Sequence, residues 1–342
     1  MTDIINANKK WFKGVDSIRF ILALIVVLSH FDDPFINILT HSANKLIQLS
    51  GLFLANAFDG TAAVIAFFVI SGFVIHYPNK NGIKDLKTFW IRRFLRIFIP
   101  LIVVFLIGIK FNHPDKAVIW SLICELIYYA LYPLLSVIKI KWLYKFIAAY
   151  IVALVVIVIG AHNDGNSFFK QTDLHYHSYY WQLGIYVTWL VGLPVWLLGV
   201  LIAEHIDKLE TISFSKVLLY RISIFTLSCF FIIGRSYLYL SYILSMNVFA
   251  LLIYKWLQAE IVYFKTRQPN ALLEKMGKFS YSLYLCHPII YLLLSIWITK
   301  NAVTYPLFIA LTIVISYLFY IAVEKPSHLL AVRLTKNISK EK

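Results

Sequence analysis

The chain has 342 residues, of which 60% are hydrophobic and only 14% charged, whereas a soluble globular domain carries about 25% charged residues; a soluble fold is excluded. The formal net charge of +15 is distributed between apolar runs and not gathered in one patch, which is a membrane-topology signal and argues against a nucleic-acid partner. The three cysteines, Cys124, Cys229 and Cys286, all lie within apolar runs, so no disulfide framework is indicated.

Ten candidate membrane spans follow in order, at roughly 17–37, 58–77, 94–111, 119–138, 146–162, 185–204, 217–234, 236–256, 280–299 and 305–323, each near the ~20 residues that cross a bilayer. The expected fold class is therefore all-α, a polytopic membrane helix bundle with ten transmembrane helices. The polar segment Met1–Lys13 leads into a first span with no small-residue cleavage site behind it, so that span is read as retained and not as a signal peptide. The second span is the weakest, because Asp59-Gly60-Thr61 opens it, and a tight turn is expected around Gly234-Arg235. With the N-terminus inside, alternation leaves only Lys45, Lys110, Lys116, Lys170, Arg235 and Lys300 on the outer side. That asymmetry predicts an N-in, C-in topology, with the lipid bilayer as an obligatory partner.

The first span carries two charge-capable groups, Arg19 and His30. At about 100° per residue they fall within ~20° of one helix face, and ~16 Å apart along the axis. Arg19 is expected at the water boundary and His30 near mid-bilayer. Ionisable groups inside a membrane are costly and are functional candidates by default; the plain alternative is a topology anchor and a satisfied buried histidine. In the second span, Ser71-Gly72 is read as a small pair for close helix packing and not as a nucleophile, since no base stands beside Ser71 in sequence. The third span is entered through Arg92, Arg93 and Arg96, where Arg92 and Arg96 share a face. Three guanidiniums could clamp phosphates by forked hydrogen bonds, or serve only as a positive-inside anchor. Trp120 and Glu125 open the fourth span; a carboxylate there could orient a histidine or form a structural ion pair.

The outer loop at 162–184 is rich in aromatic and amide groups, which suit sugar faces and equally suit an interfacial aromatic belt. Its His175 and His177 lack carboxylate or thiolate partners at metal spacing, so no metal site is expected. In the ninth span Tyr281, Tyr284 and His287 form a row on one face, with Pro288 next. The last span runs into Glu324-Lys325-Pro326.

Arg19 with His30, the Phe67–Phe73 run around Ser71-Gly72, Arg92-Arg93 with Arg96 and Pro100, Trp120-Ser121-Leu122 with Glu125, Ser280-Tyr281 with Tyr284-Leu285 and His287-Pro288, and Glu324-Lys325-Pro326 together resemble the acyltransferase-3 family of integral membrane acyltransferases. They come in the family's order over most of the chain. The resemblance implies one membrane domain over 12–328 with short cytoplasmic tails at 1–11 and 329–342. It implies a multi-pass O-acetyltransferase of the inner (plasma) membrane, which moves acetyl from cytoplasmic acetyl-CoA to a hydroxyl of a cell-surface glycan, such as an O-antigen or exopolysaccharide, or of a lipid-linked sugar. Acetyl-CoA is then a substrate, and no permanently bound cofactor is expected. The family's key histidine maps onto His30 and its arginine onto Arg19. His30 and Glu125 become the candidate catalytic residues, Arg19, Arg92, Arg93 and Arg96 the candidate donor-binding residues, and Trp120, Tyr281, Tyr284 and His287 acceptor or structural support. The chain departs from the family at Ile123-Cys124, where many members carry an acidic or polar residue before the glutamate. The competing reading is a transporter or channel for a small anion or glycan precursor; the absence of an internal repeat argues against it.

Overall fold

The computed structural model describes residues 12–111, 116–170, 179, 182–184 and 186–338. Its elements are α1 (Val15–His30), α2 (Pro34–Thr40), α3 (Lys45–Ala55), α4 (Gly60–His76), α5 (Leu86–Lys110), α6 (Lys116–Val137), α7 (Trp142–Gly160), α8 (His162–Lys170), α9 (Thr188–His205), α10 (Phe214–Tyr237), α11 (Tyr242–Thr266), α12 (Ala271–Gly277), α13 (Ser280–Trp297), α14 (Tyr305–Phe319) and α15 (Lys325–Ile338). A π-helical segment, Tyr320–Glu324, joins the last two. No strand occurs among the described residues. His175 and His177 lie outside them.

Among the described residues, seven helical segments are long and apolar enough to cross a membrane, and eight if α1 and α2, bent by 63° at their junction, count as one broken span. The chain is thus a multi-pass membrane protein. Each of the ten apolar runs of the sequence contains a long helix, but α5 and α11 fall short as spans because charged or polar groups interrupt them: Arg93, Arg96 and Lys110 in one, Asn247, Lys255, Gln258 and Glu260 in the other. The turn expected at Gly234-Arg235 comes later, over 238–241. Gly234 and Arg235 stay in the last turn of α10, where Leu240 folds back onto the bare Gly234 Cα and bonds its carbonyl at 3.0 Å. Residues 329–338, expected as the start of a tail, are helical, and Ala331 and Thr335 are buried in the packing of α15 on α5.

Several helix starts follow from single side chains. Asp33, Asn44, Asp59 and Asp85 each accept a backbone N–H of the first turn they precede, satisfying donors that have no partner inside the helix. The start of α1 is held differently. Ser17 donates its backbone N–H (3.0 Å) and its hydroxyl (2.7 Å) to Glu274 Oε1 on α12. Gly277 permits this close approach, because a Cβ there would lie 2.0 Å from the Asp16 carbonyl.

The helices α4 and α9 are buried on nearly all sides, as their continuous apolar sequences require. Their backbones touch: a Cβ on Gly72 would meet the Trp196 carbonyl oxygen at 2.0 Å, and one on Gly199 the Val69 carbonyl oxygen at 1.9 Å. Without a hydrophobic drive between helices in lipid, such small-residue contacts supply the packing. At the periphery, α7 turns Ile151, Val155 and Val158 outward, an apolar stripe suited to lipid. Around the site, α1 packs on α4, α4 on α6, α6 on α5, α5 on α13 and α13 on α1, closing a ring.

Candidate active site

That ring encloses a cavity of about 390 Å³, within the range of small-molecule sites. Arg19, Arg93 and Arg96 line it together with Phe12 and Tyr77, and its walls continue through Ser71, Glu125 and Tyr129 to Phe67, Ser121, Tyr281 and Tyr284. Three helices supply its charged groups, α1 giving Arg19, α5 Arg93 and Arg96, and α6 Glu125, and α4 adds the neutral Ser71 hydroxyl.

Each charged group is tethered from behind. Arg19 Nη1 lies 3.4 Å from Asp16 Oδ1, one turn earlier on α1. Arg96 Nη2 lies 4.0 Å from Glu324 Oε1, and Glu324 Oε2 accepts the Ser282 hydroxyl at 2.5 Å. Glu324 is buried at the end of the π-helical segment; such insertions are frequent at functional sites. Arg93 stands over the Phe89 ring, 5.9 Å from its centre. Arg92 does not belong to the cavity. Its Nε donates to Thr335 Oγ1 at 2.8 Å, which turns it toward α15. The expected row of three arginines therefore divides: Arg92 lies on the side of α5 that α15 covers, and Arg93 and Arg96 stay with the cavity.

Glu125 Oε1 accepts the Ser71 hydroxyl at 2.7 Å and also the Tyr129 hydroxyl. Ser71 Oγ in turn accepts Trp196 Nε1–H at 3.2 Å. Ser71 is thus part of a carboxylate cradle, while its neighbour Gly72 does the packing expected of the pair. No bond links Glu125 to His30 among the described residues, so the orienting role considered for this carboxylate has no contact to act through.

The tyrosine row on α13 is present but serves three places. Tyr281 donates to the Ile97 carbonyl at 3.0 Å, the Tyr284 hydroxyl is 2.6 Å from Ser121 Oγ, and both line the cavity. His287 instead faces His30: its Nε2 is 3.3 Å from His30 Nδ1 and the ring centres are 5.0 Å apart. The His287 ring lies 6.2 Å from that of Tyr284, so one aromatic side chain joins the cavity wall to the histidine pair. Trp120 is buried against Phe68 and Tyr179 and takes no part in the cavity lining.

His30 is the last residue of α1, its side chain is exposed, and Phe31 after it is extended and buried against Tyr291. Of the two histidines it is His287 that is fully buried. Four contributors, Ser71, Ser121, Tyr129 and Glu324, were not among the candidate residues. Ser121 and Tyr129 were within reach of sequence reasoning, since they sit one helical turn before and after Glu125 on α6; Ser71 and Glu324 come from helices that only the fold brings together.

A family model described as an acyltransferase domain matches residues 12–321. The chain belongs to the acyltransferase-3 family. No curated protein and no solved structure matches it. In this membrane acyltransferase the motifs quoted from the sequence divide between two places. Arg19, Arg93, Arg96, Glu125, Tyr281 and Tyr284 share the cavity, while His30 and His287 form the pair beyond Tyr284.

Proposed function

We propose that this acyltransferase is an O-acetyltransferase of the inner (plasma) membrane, taking acetyl from cytoplasmic acetyl-CoA and passing it to a hydroxyl of a surface glycan or lipid-linked sugar. The observation that supports it best is a single cavity carrying Arg19, Arg93 and Arg96 and reaching Tyr284, beside the histidine pair. Guanidiniums are matched to phosphate oxygens by their planar fork, and the aromatic lining of the same cavity, with Phe67, Tyr281 and Tyr284, suits a thioester arm. The ~16 Å of helix between Arg19 and His30 is a fitting span for that arm. In this reading ten helices cross the membrane with both termini cytoplasmic, which puts the arginines at the donor side and the exposed His30 toward the acceptor.

His30 Nε2 acts as general base. It takes the proton of the acceptor hydroxyl as that oxygen attacks the thioester carbonyl carbon. The carbon–sulfur bond breaks, and the proton passes from the imidazolium to the departing thiolate, giving the ester and free coenzyme A. The test is acetyl-CoA turnover by the purified protein with a glycan acceptor, comparing wild type with His30→Ala. Loss of turnover in the variant at normal folding supports the reading; undiminished turnover overturns the role of His30, and no turnover by wild type with any acyl-CoA overturns the reaction. Mass analysis of glycans from cells with and without the gene identifies the acceptor.

A further inference from the structure

We infer that His287 is a positioning residue that, together with the Val26 carbonyl, holds the His30 Nδ1–H and so orients the ring with its Nε2 lone pair free, and that it stands where other histidine bases have a carboxylate. The inference rests on the proposed acyl transfer and assigns a task to a residue which that mechanism does not use.

The hydrogen-bond partners decide where each proton sits. His287 Nδ1 lies 2.7 Å from the carbonyl oxygen of Tyr284. A carbonyl only accepts, so this nitrogen carries a proton. His30 Nδ1 lies 2.9 Å from the carbonyl oxygen of Val26, and by the same rule it also carries a proton. The remaining contact is His30 Nδ1 to His287 Nε2 at 3.3 Å. The donor side is already settled, so His287 Nε2 is the acceptor and His30 Nδ1–H is shared between two acceptors. A neutral His30 then has its lone pair on Nε2, the nitrogen on the far side of the ring from both partners. The chain of bonds runs one way: from His30 to His287, and from His287 to the helix backbone.

The arrangement suits a base. When Nε2 takes a proton, the charge spreads over the imidazolium and the Nδ1–H bond to His287 Nε2 strengthens, as bonds from charged donors do. A histidine base is commonly held by a carboxylate at this position. Here Glu125 is bound to Ser71 and Tyr129, Glu324 to Ser282 and Arg96, and neither is bonded to a histidine among the described residues. The buried imidazole of His287, fully enclosed and ordered by its own helix, supplies a neutral acceptor instead. Pro288 follows it on α13.

The amide side chains separate a positioning role from a structural one. In His287→Gln the side-chain amide reaches the place of Nε2 and offers an acceptor to His30. In His287→Asn the shorter amide reaches the place of Nδ1, keeping the bond to the Tyr284 carbonyl but offering His30 nothing. His287→Leu removes both bonds while filling apolar space. The three variants and His30→Ala are purified, their melting temperatures in detergent checked, and kcat and KM for acetyl-CoA measured with the acceptor saturating. The expected result is a roughly 10- to 100-fold fall in kcat for His287→Leu and His287→Asn, the scale seen when the orienting partner of a metal-binding histidine is lost. KM for acetyl-CoA should stay unchanged, and His287→Gln should recover most of the rate. If Asn recovers the rate and Gln does not, or if all three variants turn over normally, the inference is overturned while the acetyl transfer stands. If His30→Ala itself turns over normally, the inference falls together with the assignment of His30 as base.

Discussion

Arg96 and Glu324 approach each other to 4.0 Å beside the cavity, although more than two hundred residues separate them in the chain. Glu324 is also fixed by Ser282, so it holds the guanidinium without neutralising the rest of the basic wall. Arg92, only one helical turn before Arg96, bonds Thr335 on α15 instead. The two arginines make opposite predictions. Arg96→Ala and Arg93→Ala should raise KM for acetyl-CoA roughly ten- to a hundred-fold, the loss expected for a hydrogen bond between charged groups at ~1.5–3 kcal/mol. Arg92→Ala should leave it within about two-fold. Steady-state kinetics on the three variants decides. An unchanged KM for acetyl-CoA in all three variants would return the cluster to a topology anchor.

Glu125 is expected to serve the cavity and not the histidine. Glu125→Gln keeps an oxygen that accepts from Ser71 and Tyr129 but removes the charge. It should lower kcat by less than His30→Ala does, since no bond connects position 125 to His30. A loss as large as that of the histidine variant would put the carboxylate itself into proton transfer.

Exchange of His30 for alanine should cost about 10²–10⁴ in rate, the usual contribution of a general base, with normal expression and insertion because the side chain is exposed. Incubation with [¹⁴C]acetyl-CoA in the absence of acceptor should leave the wild-type protein unlabelled. A label that appears on wild type and is missing from His30→Ala would make the histidine a nucleophile carrying acetyl.

The contact between α4 and α9 tolerates no side chain. Gly199→Val should destabilise the bundle by about 3 kcal/mol or more, because the obstructing atom is a backbone carbonyl that cannot rotate away. Gly165→Ala on α8, where nothing lies within 4 Å of an added Cβ, serves as the control and should be neutral. Melting in detergent compares the two; a normal melting point for the valine variant would mean that the helices can separate without cost.

A reporter joined after Lys342 should read cytoplasmic, as should one placed between α4 and α5. An extracytoplasmic signal from either would move the arginines to the wrong side for acetyl-CoA and remove the donor assignment.

What the sequence determined by itself is the part of the protein governed by local physics. Apolar runs such as those of α4 and α9 must become helices in lipid, since only a helix satisfies its own backbone there. Asp59 and Asp85 mark helix starts because their side chains accept nearby N–H groups. The rows Arg93–Arg96 and Tyr281–Tyr284 share faces because of the helical period. What only the tertiary structure decided is which of these faces meet. Arg92 left the cavity because α15 passes that side of α5. Glu125 received Ser71 and Tyr129 in place of a histidine. His30 sits at an exposed helix end because the chain bends at Phe31, and there it meets His287, from a helix late in the sequence. Periodicity fixes the direction of a side chain relative to its own helix axis, but not the rotation of one helix against another; that rotation follows from side-chain packing and from close contacts such as Gly72 on Trp196 and Gly199 on Val69.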